Sequence, residues 1–521
     1  MPPTDPPEIP PLSLNGRDLT VADVISVARG DREVRLAPEA ADRMRASREV
    51  VERVVAEHRT VYGVTTGFGD LADVRIEPEQ TAELQHNLVR SHAAGVGPPL
   101  PTDVVRAMLL LRANALAVGL SGVRVALPEL LLDLLNARIH PVIPSRGSVG
   151  ASGDLAPLAH LALVVIGEGE AELEGQRMPG SEALAAAGLE PLELEAKEGL
   201  ALLNGTQLMA AIGALAIADA RSLAETADVI GAMSLEAMEG TGAAFADALV
   251  AARPHPGQRA SAARLRAMLA ESEIGEAHRD LAHRVQDAYS LRCMPQVHGA
   301  VRDAVDQLER VVDIELNAAT DNPLVFAATD DRPEGEVISG GNFHGEPLAL
   351  VLDYAKAAVV ELASISERRT ARLVDARFSG LPPVLSEHPG VQSGLMITQY
   401  TAAALVNEAK SLAHPASVDS IPTGANQEDH VSMGATAALH LLEVLDRART
   451  VLAIEALCAA QGLDFRSPMR PGAGVARAHT RVRRSVDHLA EDRSPAPDIA
   501  VLHELVASGE LLAAADGDTD G

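Results

Sequence analysis

Long stretches of this chain repeat apolar residues at helical spacing, and they constrain the fold more than any other feature. Residues 346–375 and 434–462 are rich in Ala and Leu, which favour helices. Strand-like segments are short, the best being 34–36 and 337–338. A further stripe at spacings of three and four residues marks one buried helix face; it consists of Val297, Val301, Val305, Leu308 and Val312. The sequence therefore predicts a mainly α fold.

Composition divides the chain into four predicted segments. Residues 1–12 are Pro-rich, which predicts a flexible tail, and residues 513–521 predict an acidic, frayed end. Residues 13–200 mix helical patterns with Gly-rich loops and predict a mixed, loop-rich N-terminal domain. Residues 201–512 predict a long helical bundle.

Charge and cysteine content exclude several classes of protein. The chain has 521 residues, 47% of them apolar, so it is neither disordered nor a small stapled scaffold. Its net charge of −29 argues against a nucleic-acid partner, which needs a basic face. Cys293 and Cys458 form no disulfide framework and no zinc motif, so we expect a cytoplasmic protein without a bound metal.

No stretch predicts an export signal or a membrane span. The N-terminus lacks the basic start and apolar run of a signal peptide. The most apolar stretch, Leu208–Ala218, is closed by Asp219, short of the about 18 residues that a bilayer requires. We therefore expect a buried core helix there and no membrane partner.

Aromatic residues are scarce, which makes each of them informative. The chain has no Trp, 6 Phe and 4 Tyr, so the core must be built from Ala, Leu and Val. Three of the tyrosines, Tyr62, Tyr289 and Tyr400, lie in or beside polar segments, whereas Tyr354 lies in a plain helical stretch. Aromatic rings that packing does not use are expected to mark the chemistry.

Four Gly-rich or polar segments interrupt the helices, at 62–69, 144–154, 285–292 and 424–430. Loops of this kind often carry binding and catalytic residues. Residues 67–72 formally fit a dinucleotide-binding pattern, but they lack the preceding apolar strand that such a fold needs.

The tripeptide Ala151-Ser152-Gly153 permits an unusual reaction. In a compressed loop the unhindered amide nitrogen of Gly153 can attack the carbonyl carbon of Ala151, because flanking glycines let the backbone bend. Loss of one water from the new ring and one from Ser152 leaves an exocyclic methylidene, which is a strong electrophile. From these residues alone, an ordinary tight turn before a helix is the favoured interpretation.

Taken together, the segments resemble the aromatic amino acid ammonia-lyase and aminomutase family. Residues 147–158 (GSVGASGDLAPL) are similar to its signature, and the resemblance runs from about Val21 to Leu512. It implies a mainly α, superhelical fold and a self-made 4-methylideneimidazole-5-one group formed from Ala151, Ser152 and Gly153, with no external cofactor. It also implies a homotetramer whose active sites are shared between subunits.

Within that family, four windows are most similar to the histidine ammonia-lyase branch: 91–95, 285–293, 340–344 and 427–434. The resemblance implies a small amino acid substrate, L-histidine, which is converted to trans-urocanate and ammonia in the first step of histidine degradation. One alternative is a tyrosine ammonia-lyase or tyrosine 2,3-aminomutase with the same group, because Tyr400 resembles what the aminomutases carry. Another is a helical scaffold that no longer catalyses.

The resemblance also assigns roles to individual residues. It implies that the catalytic residues, besides the tripeptide, are Tyr62, Tyr289 and Glu428. It implies that the substrate-binding residues are His92, Asn204, Gln286, Arg292, Phe343 and Tyr400. Tyr62 is a candidate for removal of the β-proton, and Arg292 for a charge-assisted pair with the substrate carboxylate.

The chemistry agrees with these roles, and simpler interpretations stay open. A phenol with a pKa of about 10 must be shifted down to act as a base at neutral pH. A carboxylate accepts an imidazole N–H and is itself a candidate base. In the simpler interpretations Tyr62 and His92 are structural, Arg292 forms a surface ion pair, Gln286 and Phe343 only pack, and Glu428 caps a helix that begins near Val431.

Overall fold

The computed structural model describes residues 10–67, 76, 80–277 and 286–517. Most of them are helical, which confirms the predicted mainly α class. Within this part of the chain the helices are α1 (Val21–Ala28), α2 (Pro38–Ala56), α3 (Thr81–His92), α4 (Thr102–Ala117), α5 (Ala126–Asn136), α6 (Leu155–Val165), α7 (Gly180–Ala186), α8 (Glu198–Leu203), α9 (Gln207–Ala237), α10 (Asp247–Ala252), α11 (Pro256–Met268), α12 (Glu273–Ala277), α13 (Tyr289–Arg292), α14 (Met294–Leu316), α15 (Glu346–Leu373), α16 (Ala376–Ser379), α17 (Met396–Leu412), α18 (Gly434–Asp464), α19 (Ala473–Arg483), α20 (Ala496–Ala507) and α21 (Glu510–Asp516).

Short strands form four small sheets among the described residues. The strands are β1 (Leu12–Leu14), β2 (Val34–Leu36), β3 (Val96–Pro99), β4 (His140–Pro141), β5 (Pro144–Arg146), β6 (Glu170–Leu173), β7 (Gln176–Pro179), β8 (Leu324–Phe326) and β9 (Glu336–Ile338). β1 and β2 pair in parallel, and the other pairings, β3–β5, β4–β6–β7 and β8–β9, are antiparallel. Both predicted strands, at 34–36 and 337–338, are confirmed.

The predicted helical stripes become buried faces. On α14, four residues of the stripe are buried: Val301, Val305, Leu308 and Val312. The predicted helices over 346–375 and 434–462 are confirmed as α15 and α18, and the core is built largely from Ala, Leu and Val. Because Ala side chains are small, helices rich in Ala can approach one another closely without aromatic rings.

The apolar stretch 208–218 lies within a longer helix, since α9 continues past Asp219 to Ala237. Asp219 stays within the helix and forms an ion pair with Arg449 at 2.9 Å. By length and composition, Glu198–Ala237 is long and apolar enough to cross a membrane, and among the described residues it is the one such stretch. Its apolar window is entirely buried, as in the core helix that was predicted.

The chain divides into two compact units, each made of three separate segments. The first unit contains residues 1–215, 308–352 and 415–439. The second contains residues 216–307, 353–414 and 440–521. Composition predicted two contiguous domains with a boundary near residue 200, whereas each observed unit combines distant segments. Composition describes a local stretch of chain and does not indicate which distant helices pack together.

Regular structure extends into both segments that were predicted as tails, residues 1–12 and 513–521. β1 begins at Leu12, and α21 continues through Asp516 with Leu511, Ala514 and Ala515 buried. Apolar burial explains why this end of the chain is helical despite its acidic composition. Residues 1–9 and 518–521 lie outside the described residues.

Candidate active site

The Gly-rich loop at 147–154 lies between β5 and α6 in the first unit. Gly153 has a φ of +78°, and a Cβ built on it would lie 2.2 Å from the carbonyl oxygen of Gly205. No side chain fits in that space, so glycine is required for this close approach. The end of the loop is thereby brought against the turn that contains Asn204 and Gly205.

Ser152 and Glu428 are brought together by the fold, although 276 residues separate them. The Ser152 hydroxyl donates a hydrogen bond to Glu428 Oε1 at 2.9 Å. Ser152 adopts a φ of +48°, in the left-handed region that is uncommon for serine. Such a strained residue at a predicted reactive position is typical of a functional loop.

The Glu428 carboxylate is held from its other side by Thr423. The Thr423 hydroxyl donates to Glu428 Oε2 at 2.6 Å, and the two backbones exchange hydrogen bonds. The simpler interpretation, that Glu428 caps a helix beginning near Val431, is wrong because α18 begins at Gly434. Sequence reasoning missed Thr423; its position five residues before the carboxylate was the only signal.

Two further segments hold the loop backbone in place. Ser432 Oγ and the Gly345 backbone N–H both donate to the Gly150 carbonyl oxygen, at 2.9 and 3.0 Å. The Met433 N–H donates to the Val149 oxygen at 2.8 Å. Phe343, which is half-buried, lies two residues before Gly345. The segments predicted around 340–344 and 427–434 therefore both adjoin the loop.

Asp154 ties the loop to the first turn of α9. One carboxylate oxygen accepts the Ser148 hydroxyl at 2.8 Å, and the other accepts the N–H groups of Leu208 and Met209 at 2.9 and 3.2 Å. Unpaired N–H groups at a helix N-terminus favour an anion. Complete burial outweighs these bonds and raises the pKa of Asp154 to about 6. The sequence reasoning gave this residue no role.

This buried carboxyl predicts a pH dependence of stability. Between pH 4 and 6 the folded Asp154 keeps its proton while the unfolded one loses it, so the free energy of unfolding falls as the pH rises. We expect Asp154→Asn to remove this decrease, which is on the order of 3 kcal/mol across the window. Denaturant unfolding from pH 4 to 7 measures it, with exposed Asp330→Asn as the control. Parallel profiles for wild type and Asp154→Asn would contradict it.

Asn204 follows α8 and is held by a buried cation. Its Nδ2 donates to the Asn322 carbonyl at 3.1 Å, while its carbonyl accepts Arg112 Nη1 at 3.1 Å. Arg112 is fully buried on α4 and also donates to Gln207 Oε1 at 2.8 Å, and burial lowers its pKa to about 10. Sequence reasoning missed Arg112, although a charge inside an apolar helix is a usable signal.

One polar atom of Asn204 lacks an internal partner. Its Oδ1 is buried and accepts no hydrogen bond from the residues that the structure describes. Buried polar atoms are nearly always paired, so this acceptor is available to a bound group. This atom is carried by the turn that contacts Gly153.

Tyr62 and His92 lie on segments anchored near this region of the first unit. Tyr62 is half-buried in a turn held by Val64, which packs in a cluster with Ala196 and Val325. His92 ends α3, and β3, which follows, pairs with β5 just before the loop. His92 Nδ1 lies 2.8 Å from the Leu88 carbonyl. Because a carbonyl only accepts, Nδ1 carries the proton, and Nε2 of the neutral ring is an acceptor.

The other predicted site residues belong to the second unit. Gln286 is exposed, and α13 carries Tyr289 and Arg292 with the guanidinium carbon 4.6 Å from the tyrosine ring centroid. Tyr289 is 71% exposed, and Tyr400 on α17 is 60% exposed. Their roles stay predictions. Residues 68–69 and 285 of the predicted segments lie outside the described residues.

Comparison with known proteins places the chain in a family. A model of the aromatic amino acid lyase family matches residues 19–484. The chain is 54% identical to histidine ammonia-lyase of Myxococcus xanthus, over 97% of this chain and 98% of the relative. The chain therefore belongs to the aromatic amino acid lyase family, as its motifs predicted.

Solved structures agree with this assignment. The crystal structure of histidine ammonia-lyase from Trypanosoma cruzi matches with a TM-score of 0.89 and 41% identity, covering 98% of this chain and 96% of that one. Tyrosine aminomutase from Streptomyces globisporus matches with a TM-score of 0.92 and 38% identity, covering 98% and 99%. Because the fold is shared by lyases and aminomutases, the substrate must be argued from the site.

Proposed function

We propose that this protein is a histidine ammonia-lyase, which eliminates ammonia from L-histidine to give trans-urocanate. The observation that carries this proposal is the Glu428 carboxylate, hydrogen-bonded at 2.9 Å to the reactive-loop serine, Ser152. A carboxylate accepts the N–H of an imidazole, whereas a phenyl ring offers no such donor. The 54% identity to the lyase of Myxococcus xanthus supports the same choice of substrate.

The residues present fit a 4-methylideneimidazole-5-one group made from Ala151, Ser152 and Gly153. Gly153 has no side chain to hinder its amide nitrogen, and Ser152 lies in a strained conformation. The unpaired Asn204 Oδ1 supplies a buried acceptor on the turn that contacts this tripeptide. The group supplies an electrophile that activates the substrate toward loss of ammonia.

The chain's own residues supply recognition and proton transfer in this proposal. Glu428 accepts the imidazole N–H, and His92 meets the imidazole ring. Tyr62 removes the β-proton, while Asn204 orients the substrate. Phe343 packs beside the electrophile.

The proposed active site is completed by neighbouring subunits of a homotetramer. Arg292 binds the substrate carboxylate, and Gln286, Tyr289 and Tyr400 line the site. The exposure of Tyr289 and Tyr400 in the single chain supports a place for them at such a shared surface. The proposal includes a cytoplasmic location, supported by the two free cysteines.

A second candidate is a tyrosine 2,3-aminomutase or tyrosine ammonia-lyase with the same group. Tyr400 and the TM-score of 0.92 to the aminomutase of Streptomyces globisporus favour it. A phenol, however, carries its donor on a hydroxyl outside the ring, so it does not place a donor where a ring N–H of imidazole does. The histidine-directed function is therefore the one that the geometry supports best.

Substrate selectivity tests this choice. We expect purified full-length protein to form a conjugated, ultraviolet-absorbing product from L-histidine at least about 100-fold faster than from L-tyrosine, because a site built to pair a ring N–H is poorly matched to a ring that lacks one. Separate incubations followed by absorbance and chromatography measure the two rates. Faster conversion of L-tyrosine would overturn the histidine assignment in favour of the second candidate.

A further inference from the structure

We propose that Thr423 is a positioning residue that orients the Glu428 carboxylate and thereby sets the preference for a substrate ring bearing an N–H. This inference rests on the histidine-directed function proposed above. Thr423 itself is not required to touch the substrate; it acts through the hydrogen bond from its hydroxyl to Glu428 Oε2, at 2.6 Å.

The local structure shows that this hydroxyl is committed to the carboxylate. Thr423 immediately precedes a short 3₁₀ turn, Gly424–Asn426. At such a position a threonine hydroxyl ordinarily accepts a hydrogen bond from a backbone N–H of the turn. Thr423 makes no such capping bond. Its hydroxyl donates a hydrogen bond to the Glu428 carboxylate, and such charge-assisted bonds are strong.

The backbone holds the two residues in register. The Thr423 N–H donates to the Glu428 carbonyl at 3.0 Å, and the Glu428 N–H donates back at 3.3 Å. Between them Gly424, Ala425 and Asn426 all have positive φ, at 53°, 54° and 69°. Consecutive left-handed residues are costly and persist where surrounding contacts fix them.

The Glu428 side chain folds back over the turn at Gly424. A Cβ built on Gly424 would lie 3.4 Å from Glu428 Cγ and 3.5 Å from its Cδ, in a backbone conformation that already disfavours side chains. The carboxylate is therefore confined by the turn on one side. Thr423 fixes which of its oxygens remains available.

The consequence is that one carboxylate oxygen of Glu428 is held by Thr423 and the other is directed at the reactive loop. Oε2 is satisfied by Thr423, and Oε1 faces the Ser152 hydroxyl of the reactive loop. An acceptor pre-oriented in this way loses little freedom on binding a donor. A substrate ring without an N–H leaves this oxygen without that partner, and losing the donor of a charged acceptor is costly.

Three variants test the inference by kinetics with L-histidine. Thr423→Val keeps the shape and removes the hydroxyl, Thr423→Ser keeps the hydroxyl, and Thr480→Val is a control at an exposed threonine on α19. We expect Thr423→Val to raise KM about tenfold with kcat changed less than about threefold, because ground-state recognition is lost. We expect Thr423→Ser to stay within about threefold of wild type, and intact mass to show the same loss of two waters in all.

The outcomes separate this inference from the proposed function. If wild type does not convert L-histidine, the proposed function fails. If wild type does so and Thr423→Val matches Thr480→Val, the function stands and Thr423 has no positioning role. Equal losses in the Val and Ser variants also overturn the role, since shape and not the hydroxyl would then matter. If Thr423→Val does not fold, Thr423→Ala replaces it with the same expected result.

Discussion

Replacing Ser152 with alanine is expected to reduce the turnover of L-histidine by at least about 1,000-fold, because the reaction loses an electrophile and not merely a contact. Alanine has no hydroxyl to lose as water, so the exocyclic methylidene cannot form. Initial rates of urocanate formation measure the effect, and intact mass should show the absence of the second dehydration.

The fold should survive this substitution. Ser152 contributes one hydroxyl to a loop that other bonds hold, including those from Met433 and Asp154. Thermal unfolding of Ser152→Ala compared with Ser181→Ala, at an exposed serine on α7, measures this. Turnover at the wild-type rate in folded Ser152→Ala would remove the tripeptide from the mechanism.

Glu428→Gln is expected to lower kcat/KM for L-histidine by about 100-fold or more, because the charged acceptor that pairs with the imidazole N–H is lost. The amide keeps the size of the side chain, and its carbonyl can still accept from Thr423. Its NH₂ group, however, donates where the carboxylate accepted. The imidazole N–H would then meet a donor.

The matched control is Glu182→Gln on α7, an exposed glutamate. In steady-state kinetics with L-histidine, the kcat/KM of Glu428→Gln should be about 100-fold below that of Glu182→Gln. Both variants should melt within a few degrees of wild type. A Glu428→Gln enzyme that loses no more activity than Glu182→Gln would show that Glu428 does not bind the imidazole.

The fold class could be predicted because the buried face of α14 is visible in the local sequence as aliphatic residues at helical spacing. The extent of α9 could not be predicted, because the charged residue Asp219 follows the apolar stretch at 208–218. Its carboxylate stays in the helix through an ion pair with Arg449, some 230 residues further along. Long-range partners of this kind leave no signal in a local window.

Some residues of the candidate site could likewise be predicted from the sequence, and others could not. Ser152 and Glu428 could be singled out because their segments resemble the family's motifs, and the structure brings the two side chains to 2.9 Å. Arg112 and Thr423 were missed because their roles depend on distant groups that they contact in the folded chain, the Asn204 carbonyl and the Glu428 carboxylate. Residue type suggests chemistry, whereas positioning is a property of the folded chain.

The stoichiometry of the products formed from L-histidine tests the central claim most directly. Purified full-length protein whose intact mass lacks two waters is incubated with L-histidine, and trans-urocanate, ammonia and any β-amino acid are quantified together. We predict one ammonia for each trans-urocanate, with no β-amino acid. No urocanate from such protein, or a β-amino acid as the main product, would contradict a histidine ammonia-lyase built on Ser152 and Glu428.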